Sequence, residues 1–133
     1  MTGQLALLLV EDDPDDVELM RQALDDNGIR YVVEVINHGD QVLSHLEMSK
    51  KFPDVIILDL NLPKLHGREV LKKLKASKFS GVPVVILTTT SSQPEKENCL
   101  KLGADAFITK PASVAGFNEM VATILSVADK ITQ

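Results

Sequence analysis

LALLLVEDDPDDVELMRQALDDNG, Leu5 to Gly28, reads as one strand and one helix, and that reading decides the fold. The run Leu5 to Val10 is apolar, short and aliphatic, as a buried strand is. Five carboxylates follow at once: Glu11, Asp12, Asp13, Asp15 and Asp16. Apolar residues then return at helical spacing (Val17, Met20, Ala23, Leu24) and stop at Asn27-Gly28, a left-handed cap signal. Asp13, Asp15 and Asp16 are read as cap and first-turn acids, where negative charge complements the helix dipole, and Pro14 suits a first turn. Glu11 and Asp12 precede that helix and need another explanation.

The same alternation continues outward. Val32 to Ile36, Val55 to Leu58, Val84 to Leu87 and Ala106 to Ile108 are further short buried-strand runs. Between them fall helical stretches from about Asp40 to about Lys50, around Val70, Leu71 and Leu74, and from about Pro94 to Leu102, the last closing at Gly103. The fifth helix is the clearest: Phe117, Met120, Val121, Ile124, Leu125 and Ala128 make one face. Five β-α repeats with short connections predict a doubly wound α/β domain, with a five-stranded parallel sheet and helices on both faces. In such a sheet, sites gather at the carboxyl ends of the strands.

With 133 residues, 44% of them hydrophobic, the chain is the size of one domain with one core. A net charge of -5 and the lack of any Lys/Arg cluster beyond Lys50-Lys51 and Lys72-Lys73 argue against a general grip on nucleic acid or anionic membrane. No apolar run approaches a membrane span, and Met1-Thr-Gly-Gln lacks the basic start of a signal peptide, so the chain reads as cytosolic. The lone Cys99 reads as a helix residue, and His38, His45 and His66 have no zinc-ligand spacing and are placed on the surface, with His66 nearest the site.

Four strand ends carry the chemistry. Strand 1 leaves through Glu11-Asp12, strand 3 through Asp59-Leu-Asn61, strand 4 through Thr88-Thr-Thr90 and strand 5 through Lys110-Pro111. Three carboxylates gathered on one rim repel unless a cation sits among them, and oxygen-only ligands point to Mg²⁺. Asp59 ends the apolar run Val55-Ile-Ile-Leu, so a buried strand fixes its carboxylate. A fixed aspartate can take a phosphoryl group as an acyl phosphate, with Mg²⁺ and Lys110 neutralising the phosphoryl oxygens and the Thr88 hydroxyl donating to one of them.

These residues, in this order, resemble a response-regulator receiver domain, and the resemblance runs from Leu5 to about Ala128. Within that family, LLVEDDPDD and LDLNLPKLHGREVL look most similar to single-domain regulators that partner bacterial phytochrome histidine kinases. The resemblance implies a flavodoxin-like strand order, 2-1-3-4-5. It implies that Asp59 accepts phosphate from a phosphohistidine, that Asp12 binds Mg²⁺ directly, Glu11 through water and Asn61 through its backbone carbonyl, and that Thr88 and Phe107 form the switch. A histidine kinase or a histidine phosphotransfer protein is the implied partner, docking on the first helix beside Glu18, Arg21 and Gln22, and dimers are common for such chains. The expectation is a single receiver over residues 1–133 with a core of about 5–128 and no output domain.

Several positions depart from the family pattern. Phe107 stands where Tyr is common, Thr89 where Ala is common, His66 where an acid is frequent and Ala112 where an aromatic is common. Thr89 would crowd the entry of small phosphodonors. Two other classes of function use similar parts. A haloacid dehalogenase-type phosphatase needs a second Asp two residues after the nucleophile, where this chain has Asn61. A flavin-binding relative would need a phosphate loop after strand 1, where this chain places acids; a non-phosphorylated pseudo-receiver would usually have lost one of the set.

Overall fold

A computed structural model describes residues 4–62, 65–89 and 92–132, with side chains as far as Ala128. Met1 to Gly3, Pro63 and Thr90, all used above, lie outside the described residues. The order of elements is β1 (Leu5–Val10), α1 (Pro14–Asp26), β2 (Tyr31–Ile36), α2 (Val42–Met48), β3 (Val55–Leu58), α3 (Gly67–Lys75), β4 (Val84–Thr88), α4 (Gln93–Lys101), β5 (Ala106–Thr109) and α5 (Val114–Thr132). All strand pairs are parallel, in the order β2-β1-β3-β4-β5. The doubly wound, flavodoxin-like sheet is therefore as expected.

Strand alternation divides the core in two. Leu8 and Val10 of β1, Ile56 and Leu58 of β3 and Val84 and Ile86 of β4 pack against α2, α3 and the Cys99 side of α4. Leu7 and Leu9, Val55 and Ile57, and Val85 and Leu87 pack against α1 and α5. Both faces of these three strands are buried, which is why they read as unbroken apolar runs. Acids start two strands at the opposite end: Asp54 Oδ2 accepts from Ala6 N and Asp105 Oδ2 from Val84 N, each at 2.8 Å.

Two expectations are corrected. Strand β2 is not a buried strand: it lies at the sheet edge, paired with β1 alone, with Val32 48% and Val35 38% exposed. The helix expected from Asp40 begins instead as a 3-10 turn, Gly39–Gln41, before α2. At Gly39 a Cβ would stand 2.3 Å from the Leu65 backbone oxygen, so the chain is held close there. Among the described residues, no helix is long and apolar enough to cross a membrane.

Candidate functional site

Register assembles the rim. Val10 pairs with Leu58, Leu58 with Ile86 and Ile86 with Phe107, so the next residues of β1 and β3, Glu11 and Asp59, stand side by side. Asp59 N donates to Val10 O at 3.0 Å, which carries the ladder into the site. The order of strands reverses between β1 and β3, the position where open α/β sheets leave a crevice. Lys110 follows the Thr88–Thr109 pair, and its N–H donates to Thr88 O at 2.7 Å. Alternation turns its side chain toward the α1 face, the same side as Ile108.

Lys110 Nζ lies 2.8 Å from Asp16 Oδ2, 2.9 Å from Glu11 Oε1 and 3.2 Å from Asp59 Oδ2. Glu11 is 2% exposed, and its other oxygen, Oε2, accepts from Asp12 N at 3.1 Å and Asp13 N at 3.2 Å. Asp59 Oδ1 accepts from Asn61 N at 3.2 Å, which curls the following loop around the carboxylate. Asp12 is exposed, and carboxylate oxygens of Glu11, Asp12 and Asp59 come within 4.8 Å of one another. That all-oxygen donor set fits a hard divalent cation, which would supply the positive charge the crowded acids need. Glu11 and Asp59 are each bonded through both oxygens, so the exposed Asp12 is the freest of the three to turn toward one.

Burial and charge set the protonation of this cluster. Burial, with the Asp59 charge added, pushes the Glu11 carboxyl up to about 7, although the Lys110 bond and charge pull the other way. Burial alone would lower Lys110, but its bonds to Asp16 and Glu11 and the charges of Glu11 and Asp59 outweigh that and raise it. The lysine is therefore a fixed cation across the physiological range.

Thr88 ends β4 and is fully buried, whereas Thr89 beside it is exposed. Phe107 is half-buried against the cluster beneath α2, α3 and α4, the face that alternation also gives to Thr88. Asn61 has an exposed side chain, which leaves its backbone as the part that meets the site. The histidines are half-buried rather than on the surface. His66 caps α3, its Nδ1 accepting from Arg68 N at 3.1 Å, and His45 Nε2 lies 3.4 Å from Glu34. Met20 of α1 is a core residue, so it adds nothing to a docking surface.

Asp16 is the site residue that the sequence reading assigned to the helix alone. Asp13 caps α1 by accepting from Asp15 N at 2.9 Å, and Asp15 is an exposed first-turn acid, but Asp16 reaches inward to Lys110. The signal was present: Asp16 stands four and seven residues before Met20 and Ala23, on the buried stripe of the helix. A second missed contact ties α3 to α4, where Arg68 Nη1 donates to both Glu95 oxygens at 3.2 and 3.0 Å.

Comparison with known proteins decides what this rim belongs to. Residues 7–122 match the family described as the response regulator receiver domain. The chain belongs to that family. Among curated relatives, the receiver is 38% identical over 119 residues to the alkaline phosphatase synthesis transcriptional regulatory protein PhoP of Bacillus subtilis, covering 90% of this chain and 48% of PhoP. It is 31% identical over 126 residues to the response regulator Rcp1 of Synechocystis, covering 90% of this chain and 86% of Rcp1. The crystal structure of the phosphorylated cyanobacterial phytochrome response regulator RcpA superposes with a TM-score of 0.83 at 30% identity, over 92% of this chain and 91% of that one. The Mn(2+)-bound form of Rcp1 gives 0.80 at 31% identity, over 91% of each chain. The receiver thus spans about half of PhoP but most of Rcp1 and RcpA.

Proposed function

We propose that this receiver takes a phosphoryl group onto Asp59 from a histidine kinase or a histidine phosphotransfer protein, with Mg²⁺ as the resident cation. One oxygen of Asp59 attacks phosphorus; the O–P bond forms as the N–P bond of the phosphohistidine breaks, and the imidazole nitrogen keeps the electron pair. The observation that carries this reading is the ammonium of Lys110 held 3.2 Å from Asp59 on a rim where Glu11 and Asp12 also stand. Phosphoryl transfer asks a protein mainly for positioning and charge stabilisation, and this rim offers both. Asp12, Asp59 and the Asn61 carbonyl would hold the cation directly and Glu11 through water; the cation would screen the phosphoryl oxygens from the acids.

The signal would pass from Thr88 to Phe107, two residues on the α4 face of neighbouring strands, and outward by contact with a partner or a second copy. The match to most of Rcp1 and RcpA supports a phytochrome-type kinase as the phosphodonor. A turnover phosphatase finds no support, since Asn61 stands where its second aspartate is required. The deciding experiment is intact-protein mass after incubation with acetyl phosphate and Mg²⁺. One phosphoryl mass is expected in the wild type and none in Asp59→Asn or with a chelator; equal labelling of Asp59→Asn would refute the assignment.

A further inference from the structure

Lys110 makes one contact that phosphotransfer to Asp59 does not itself demand. The shortest of its three ion pairs, 2.8 Å, goes to Asp16, which belongs to α1 rather than to a rim loop. An ammonium has three donors, and Glu11, Asp16 and Asp59 take all of them. A phosphoryl oxygen formed on Asp59 must therefore inherit a donor, and the one already aimed at Asp59 is nearest to it. The other two then decide whether the ammonium stays on line. Glu11 is bonded to the amides of Asp12 and Asp13, in the loop that carries a cation ligand, so its place follows that loop. Asp16 is anchored differently. Its helix is capped by Asp13, started by Pro14 and seated in the core through Met20, Ala23 and Leu24.

We propose that Asp16 is a positioning residue for the phosphotransfer, holding Lys110 Nζ from α1 so that its third donor meets the phosphoryl oxygen without a search. The proposal rests on the reading of Asp59 as the phosphoacceptor. Its sign separates it from a simple field effect. Asp16 adds negative charge to a rim that an anionic phosphoryl group must approach, so by field alone its removal would speed phosphorylation. Loss of positioning slows it.

The test follows phosphorylation by acetyl phosphate with Mg²⁺, using intact mass, in the wild type and in the variants Asp16→Ala, Asp16→Asn and Asp59→Asn. The Lys110 Nζ resonance is followed in parallel by ¹⁵N NMR of the metal-free protein and identified by its absence in Lys110→Arg. Asp16→Ala is expected to slow labelling roughly tenfold and to broaden the Nζ signal through exchange with water. Asp16→Asn keeps an acceptor oxygen without the charge and is expected to recover most of the rate. Labelling of Asp16→Ala as fast as wild type or faster, an unchanged Nζ signal, or Asp16→Asn as slow as Asp16→Ala would overturn the inference and leave the role of Asp59 standing. A wild type left unlabelled by acetyl phosphate and also by a phosphohistidine donor, or a labelled Asp59→Asn, would bring down the role of Asp59, and the inference with it. If Asp16→Ala does not fold, Asp16→Ser, too short to reach the lysine and well suited to a first turn, decides in the same way.

Discussion

A Cβ added to Gly67 would stand 2.3 Å from the backbone oxygen of Asp59 and 2.6 Å from the Leu60 Cα. Gly67 N also donates to Leu60 O at 2.8 Å, so the first turn of α3 rests directly on the strand end that carries the proposed phosphoacceptor. The atoms in the way are backbone and cannot swing aside. Gly67→Ala is therefore expected to cost about 1–3 kcal/mol in urea unfolding. It is also expected to weaken divalent-cation binding in calorimetry, because the loop holding Asp59 and Asn61 must move. Wild-type values for both would show that the contact is looser than its geometry.

Lys110 is the counterion of Glu11, Asp16 and Asp59 together. Replacing it with Met leaves buried acids facing one another, and breaking such a pair costs more than the pair contributes while intact. Metal-free Lys110→Met is expected to lose about 2 kcal/mol, less than for a fully buried pair because Asp16 is 20% exposed. Mg²⁺ should bind this variant more tightly than wild type, since no ammonium competes for the same oxygens, and should restore most of the lost stability. Unfolding curves with and without Mg²⁺ test both; a variant as stable as wild type without metal would contradict the counterion role.

The raised Glu11 carboxyl gives the metal-free protein a pH signature. The folded state holds the Glu11 proton up to about pH 7, whereas the unfolded chain releases it near 4.5, where an ordinary glutamate titrates. Between those values the native state binds more protons than the unfolded one. The contribution of Glu11 to stability therefore falls as pH rises through that window and levels off above it. Glu11→Gln removes the effect. In chelator, the stability of wild type minus that of Glu11→Gln is expected to decline from pH 4.5 to 7; a flat difference would mean that Lys110 offsets the burial.

Much of this was legible because both faces of β1, β3 and β4 are buried, so their apolar runs have no competing reading. What composition could not supply is which strand stands at an edge: Val32 and Val35 look like core residues and are exposed, because sheet order is a long-range property. The acids that end β1 and β3 and the lysine after β5 could be read as a set, since each directly follows a strand end. Asp16 was missed for a different reason. First-turn acids have a sufficient local explanation in the helix dipole, and that explanation hid the fact that Asp16 shares a stripe with Met20. The Arg68–Glu95 tie joins residues 27 apart in the chain, with no local pattern to announce it.

The pairing of β4 with β5 sets Ile86 opposite Phe107 and Thr88 opposite Thr109, so Thr88 and Phe107 lie diagonally adjacent on the face covered by α4. If the Thr88 hydroxyl turns toward a phosphoryl group on Asp59, the space it leaves is open to the half-buried Phe107 ring. The chain has four phenylalanines, so 4-fluorophenylalanine labelling gives few enough ¹⁹F resonances to identify Phe107 by a Phe107→Leu substitution. Its resonance is expected to move when acetyl phosphate and Mg²⁺ are present. Thr88→Val keeps the shape of the side chain and removes the hydroxyl; it should still take the phosphoryl group, more slowly, while Phe107 no longer moves. The same shift in a phosphorylated Thr88→Val protein would disconnect the two residues.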